Sequence, residues 1–97
     1  MVSMSVDLGG LIMKNPVTVA SGTFAAGREY ADFVDVAKLG AVTTKGVSLN
    51  GWAGNDAPRI AETPSGMLNS IGLQNPGVAH LKEQELPWLA GQGATTI

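Results

Sequence analysis

Cysteine is absent from this 97-residue chain, which removes disulfides, thiolate zinc sites, iron–sulfur ligation and cysteine nucleophiles from its chemistry. Charge is sparse and nearly balanced, with six Lys and Arg against eight Asp and Glu and a formal net charge of −2. That balance provides no basic face for nucleic acid and no polybasic footprint for a membrane surface. No apolar run approaches the ~20 residues of a membrane-spanning helix. Met1–Gly10 lacks a basic segment followed by an apolar one, and Asp7 interrupts it early. The cytoplasm is therefore the expected compartment. The single histidine, His80, has no cysteine, second histidine or acidic cluster beside it, so no metal site is expected and a helix-surface role is favoured. Generic nucleotide motifs fail as well. Gly91–Thr96 opens like a dinucleotide loop but lacks the third glycine and precedes a strand, and Lys45 is followed by Gly46 rather than Ser or Thr.

Apolar residues and glycine fill the space these absences leave. The chain is 44% hydrophobic and 14% charged, the balance of a folded chain rather than a disordered one. Its 13 glycines are nearly twice the usual share and mark places where backbone turns tightly or lets another group approach.

Val6, Leu8, Leu11 and Met13 flank Gly9-Gly10 and predict a short amino-terminal hairpin, followed by a turn at Lys14-Asn15-Pro16. Val17–Ala20 is apolar and β-branched on successive positions, the pattern of a strand covered on both faces. It breaks at Ser21-Gly22-Thr23. From Arg28 to Leu39, Tyr30, Phe33, Val34 and Ala37 recur at i, i+3, i+4 and i+7, which predicts an amphipathic helix closed by Gly40. Ala41–Lys45 reads as a second strand ending at Gly46, completing a right-handed βαβ unit. Between Leu49 and Pro76, glycines and prolines break every long element. Arg59–Glu62 and Met67–Asn69 are expected to pair as a hairpin across Thr63–Gly66. A helix over His80–Ala90, shortened or kinked by Pro87, precedes a third strand at Ala94–Ile97. The fold class is α/β. The alternating pattern stops in mid-course, and a (β/α)₈ barrel takes ~250 residues, so the chain is expected to be an amino-terminal portion of one.

Three places could carry chemistry, each with a plainer alternative. Ala20-Ser21-Gly22 ends the first strand, where α/β sheets place ligand-facing loops. There, a small hydroxyl followed by glycine either lets a flat ring or phosphate approach or simply caps a turn. Lys45 ends an apolar strand, where an ammonium is costly unless paired or functional. It either offsets negative charge on a ligand or snorkels to solvent. Met67–Gly77 carries Asn69, Asn75 and Gly72. This loop either presents amides to a small planar anion or satisfies its own turns.

Taken in order, the segments Asn15-Pro16, Ala20–Phe24, Gly27–Tyr30, Thr44-Lys45-Gly46, Pro58-Arg59 and Glu62–Gly77 resemble the amino-terminal third of class 1 dihydroorotate dehydrogenases. The likeness runs over nearly the whole chain and is closest to the NAD-linked class 1B catalytic subunit, with the segment around Asn69 its most specific part. It implies an FMN-binding (β/α)₈ TIM barrel, with an N-terminal β-hairpin and a β-rich insertion after the second barrel strand. Such an enzyme oxidises dihydroorotate to orotate in pyrimidine biosynthesis. The resemblance implies that Ala20, Ser21, Gly22, Lys45 and Gly46 contact FMN. It implies further that Lys45 and Asn69 contact the pyrimidine, and that backbone N–H groups of Ser70, Ile71, Gly72 and Leu73 hold its carboxylate. The implied partners are a second catalytic subunit and an electron-transfer subunit carrying FAD and an iron–sulfur cluster, with NAD as final acceptor.

The sequence departs from the family pattern at Ala25-Ala26, where a glycine and an aromatic are frequent, and at Gly46, where serine is common. The family's proton-abstracting cysteine lies on a later loop, so no catalytic base is expected within these residues and the chain alone is expected to be inactive. Rival readings are the fumarate-linked class 1A enzyme, a dihydropyrimidine dehydrogenase domain and a non-catalytic α/β binding module.

Overall fold

The computed structural model describes all 97 residues. The amino-terminal hairpin pairs β1 (Val6–Leu8) with β2 (Leu11–Met13) in antiparallel register, Val6 opposite Met13. Both turn residues, Gly9 and Gly10, have positive φ (63° and 99°), which only glycine adopts cheaply in a two-residue hairpin turn. The Asp7 carboxylate accepts the Gly10 N–H at 2.7 Å and closes the turn.

The central layer is parallel. β3 (Thr18–Val19) lies beside β4 (Ala41–Val42), with Val19 opposite Val42. Val42 also bridges in parallel to Thr96, so the segment expected as a third strand joins the layer through an isolated bridge rather than as a full strand. The Val42 N–H donates to Thr95 and the Ile97 N–H returns to Val42, at 2.8 and 2.9 Å. Val36, Val42 and Leu89 form the core under this layer, with Val19, Ala31, Leu39, Trp88 and Ala94 packed against them.

The helix expected over Arg28–Leu39 does not form as one element. Two 3₁₀ turns, Arg28–Tyr30 and Val36–Lys38, take its place. Asp35 caps the second turn, its carboxylate accepting the Ala37 N–H at 3.1 Å, so it starts a new turn rather than continuing an old one. Aspartate and β-branched valine at positions 32 to 36 are also weak helix formers. From outside, the Lys14 ammonium and the Asn15 amide donate to the carbonyls of Ala37 and Lys38, giving those acceptors tertiary partners. The apolar stripe is lost with the helix. Phe33 is 83% exposed, while Val36, off the predicted stripe, enters the core.

The second helix does form, running without a break through α2 (Val78–His80), a π-helical segment (Leu81–Glu85) and α3 (Leu86–Gly91). Pro87 sits in the first turn of α3. Proline has no N–H for the carbonyl four residues back, and the widened π turn just before it accommodates the ring. The insertion folds as predicted, with β5 (Ile60–Thr63) antiparallel to β6 (Gly66–Asn69) across Pro64-Ser65.

A short helix, α1 (Ser21–Phe24), follows β3 and ends at Ala25, whose φ of 48° and ψ of −127° suit glycine rather than alanine. Ala25→Gly is therefore expected to stabilise the purified protein by about 1 kcal/mol, the relief of strain outweighing the extra freedom of the unfolded chain. The midpoint of denaturant unfolding checks it, and an unchanged or lowered midpoint contradicts it.

Candidate functional site

The ends of the parallel strands, the insertion and helix 78–91 enclose a cleft of about 590 Å³. Ser21 enters it from the first turn of α1, because β3 ends at Val19 and Ala20, extended at φ −133°, caps that helix. Lys45 enters from the segment after β4, where the backbone leaves the sheet once Thr44 has bonded to Ile97 at 2.8 Å. Ile71 enters from the loop after β6. Three residues separated along the chain thus meet in one place.

Lys45 is half-buried there. The chain's ion pairs are Arg28–Glu85, Lys38–Asp35 and His80–Glu85, so its ammonium has no anionic partner. A half-buried, uncompensated cation at the end of an apolar strand favours an anionic or electron-rich ligand. Gly22 follows Ser21 and Gly46 follows Lys45 along the chain, both without positive φ, and a Cβ at either would meet nothing within 4 Å. Neither packing nor backbone strain demands glycine at these positions, and the space before them is open to a flat group.

The loop after β6 is shaped by contacts that its own sequence does not show. Asn55 holds it from the other side of the insertion. Its backbone N–H donates to Ile71 at 2.9 Å, and its side-chain amide donates to the Ser70 hydroxyl at 2.8 Å. Arg59 reinforces the arrangement by donating to the Gln74 side chain at 2.9 Å and to the Ala53 carbonyl at 2.8 Å. Gly72 and Leu73 both take positive φ, 79° and 58°. In this conformation the N–H groups of Ile71, Gly72 and Leu73 donate to no backbone carbonyl, whereas the Ser70 N–H is taken by Arg59 at 2.8 Å. Three consecutive amides are thus left without a backbone acceptor, and unpaired donors of this kind suit an anion.

Other expected positions lie apart. Asn69 and Ser70 line a shallower depression with Pro58, Arg59, Ile60, Ala61 and Leu68. Gly22 lines another with Ser21, Thr23, Ala25, Glu29 and Tyr30. Ala20, Gly46 and Leu73 are exposed, and Gly72 is half-buried behind Ile71.

Asn75 has a structural role. It is buried, and its side-chain oxygen accepts from the Ser48 N–H, the Ser48 hydroxyl and the Gly77 N–H at 3.0–3.2 Å. Its amide donates to the Leu73 carbonyl at 2.8 Å, and its backbone exchanges two bonds with Trp52. Asn75→Asp removes the amide donor and sets a carboxylate oxygen against the Leu73 carbonyl. The expected cost is about 2–3 kcal/mol. Thermal unfolding measures it, and an unshifted midpoint would show that the side chain is not holding the loop.

The cleft also contains Glu29, Trp52, Leu81 and Glu85, which sequence reasoning does not single out, with Gln74 from the candidate loop and His80, for which the sequence favours a helix-surface role. His80 and Glu85 lie 3.0 Å apart although five positions separate them, because the turn between them is π-helical. Trp52 is positioned by its antiparallel bridge to Asn75. Its place inside a long irregular insertion was the one available signal.

The family model for dihydroorotate dehydrogenase matches residues 3–97. The chain is 57% identical over 88 residues to a protein of Alkaliphilus metalliredigens named dihydroorotate dehydrogenase B (NAD(+)), catalytic subunit, covering 91% of this chain and 29% of that protein. Proteins of the same name show 60% identity over 85 residues in Lachnoclostridium phytofermentans and 53% over 95 residues in Thermoanaerobacter pseudethanolicus. Those matches cover 88% and 98% of this chain, and 28% and 32% of the relatives. The chain thus spans about a third or less of the length of these relatives. A family model matched over residues 3–97, with relatives 53–60% identical over 85–95 residues, decides the assignment: the chain belongs to the dihydroorotate dehydrogenase family.

Proposed function

We propose that this chain is the amino-terminal part of an FMN-dependent, NAD-linked dihydroorotate dehydrogenase that oxidises dihydroorotate to orotate in cytoplasmic pyrimidine biosynthesis. The observation that carries this reading is the unpaired Lys45 ammonium in a cleft with Ser21 and Ile71, next to free amides at Ile71, Gly72 and Leu73. On this reading β3, β4 and the strand through Thr96 are the first three strands of a (β/α)₈ barrel. The remaining strands would cover a chain in which only ten of 97 residues are buried.

The residues suit a flavin. The open spaces before Gly22 and Gly46 accept a flat ring close to backbone, and Lys45 supplies positive charge where a reduced ring carries negative charge. Ala20, Ser21, Gly22, Lys45 and Gly46 would hold FMN, which when bound supplies hydride-accepting chemistry. Lys45 would orient the pyrimidine from the cleft, and Asn69 would reach it from the separate depression it lines. Its carboxylate would be held by the N–H groups of Ile71, Gly72 and Leu73, with Ser70 contributing its hydroxyl rather than its committed N–H. The proton-abstracting cysteine would lie outside these residues. A second catalytic subunit and an electron-transfer subunit bearing FAD and an iron–sulfur cluster complete the assembly.

The experiment uses the full-length enzyme, stripped of cofactor and titrated with FMN. Dihydroorotate should then bleach the flavin absorbance, and orotate should perturb it in the dark. An enzyme that takes up FMN but is not reduced by dihydroorotate would overturn the substrate assignment, and one that takes up no FMN would overturn the flavin.

A further inference from the structure

Arg28 and Glu85 connect two walls of the cleft. Ala25, Ala26 and Glu29 line one wall, and His80, Leu81 and Glu85 line the other. Between them, the Arg28 guanidinium lies 4.8 Å from the centre of the Trp88 ring and donates to the Gln84 carbonyl at 3.2 Å. Its Nε stands 3.7 Å from Glu85 Oε2. The other carboxylate oxygen, Oε1, is 3.0 Å from His80 Nε2.

This contact is not needed to dock the helix. Leu89 is fully buried in the core, with Trp88 packed beside it, and both hold the helix from its far end. Nor is the contact arranged for maximal stability. The Glu85 side chain is only 16% exposed, and its Oε2 is buried without a hydrogen-bond donor. A mostly buried carboxylate left one bond short contributes little net stability and is commonly replaceable by an apolar residue. What it does provide is a fixed spacing. The loop it reaches is stiffened internally by the Phe24–Tyr30 stack, with centroids 4.9 Å apart, and by Gly27, whose missing Cβ leaves room for the Phe24 ring. A loop joined to the helix through Arg28, by its contacts with Trp88, Gln84 and Glu85, moves with it as a wall, and these links set its distance.

We propose that Glu85 is a positioning residue, joined to Arg28 across the cleft and to His80 along its own helix, that sets the width of the space receiving a planar cofactor. The cofactor part rests on the flavin reading above. The π turn gives the pair its reason, since only i, i+5 spacing brings His80 and Glu85 side by side.

The test compares full-length wild type with Glu85→Gln, Arg28→Gln and the double variant. Amide hydrogen exchange is followed at Gly27 and Tyr30, and FMN affinity is measured by fluorescence titration of the apoprotein. Each single variant is expected to speed exchange at these amides and to weaken FMN binding about two- to fivefold, the scale of one partly shielded ion pair. The double variant should be no worse than either single one, and exchange at Val42 should stay at the wild-type rate. Wild-type exchange in the loop would overturn the proposal. So would faster exchange with unaltered FMN affinity, which would leave a purely structural contact. A wild-type apoprotein that binds no FMN would defeat the flavin reading instead, and the exchange rates alone would then decide the role of Glu85.

Discussion

Lys45→Ala in the full-length enzyme is expected to weaken orotate binding and to slow flavin reduction, each by about 10²–10³-fold, the loss typical of removing one preorganised charged donor from a reaction centre. The size follows from what surrounds the ammonium. Lys45 is half-buried in the cleft and paired with no carboxylate. Its charge is therefore not spent on a structural ion pair and is available in full to a ligand. The same fact separates function from folding. The substitution deletes no ion pair, so the unfolding midpoint should stay within about 0.5 kcal/mol of wild type, as for a side chain with no structural partner. Lys45→Arg keeps the charge but changes the donor geometry and should recover binding better than reduction. The measurements are stopped-flow reduction of the bound flavin by dihydroorotate and spectral titration with orotate. Wild-type values for both would remove Lys45 from the site, and a collapsed midpoint would make its role structural.

The parts of this molecule legible in its sequence are those governed by neighbours along the chain. Gly9-Gly10 and Thr63–Gly66 mark hairpins because their turns need particular backbone angles or turn residues, and both hairpins form. The β-branched runs before Ser21 and after Gly40 mark parallel strands, and they pair. The failure at Arg28–Leu39 has the opposite character. The apolar spacing there is helical, yet Asp35 caps a new turn while Lys14 and Asn15, more than twenty residues earlier, take the last carbonyls. Periodicity cannot register partners at that distance. The site divides along the same line. Ser21 and Lys45 were legible because strand ends in α/β sheets face ligands. Asn55, which shapes the loop after β6, and Glu85, which reaches the cleft wall, act through contacts spanning 15 and 57 residues or through an unpredicted π turn.

Gly72→Ala should be the most damaging single-atom addition to the anion loop. Gly72 has φ +79°, and a Cβ placed on it would stand 2.6–2.8 Å from the Cγ, Oδ1 and backbone N of Asn55. The side-chain atoms could rotate away, but the backbone nitrogen cannot, because it is bonded to the Ile71 carbonyl at 2.9 Å. Alanine must therefore either break that bond or abandon the left-handed conformation, and either choice alters the backbone that carries the Ile71, Gly72 and Leu73 amides. Left-handed strain and the lost contact together cost about 3 kcal/mol at the loop, corresponding to about 10²-fold in affinity for an anion that needs the native conformation. Asn55→Gly added to Gly72→Ala should restore little, since the backbone clash and the strain both persist. Gly91→Ala serves as the reference, because its Cβ would meet nothing within 4 Å and its φ is not positive. Orotate titration of the three proteins settles the matter. If Gly72→Ala binds orotate as tightly as Gly91→Ala does, the amides after Asn69 do not hold the substrate's carboxylate.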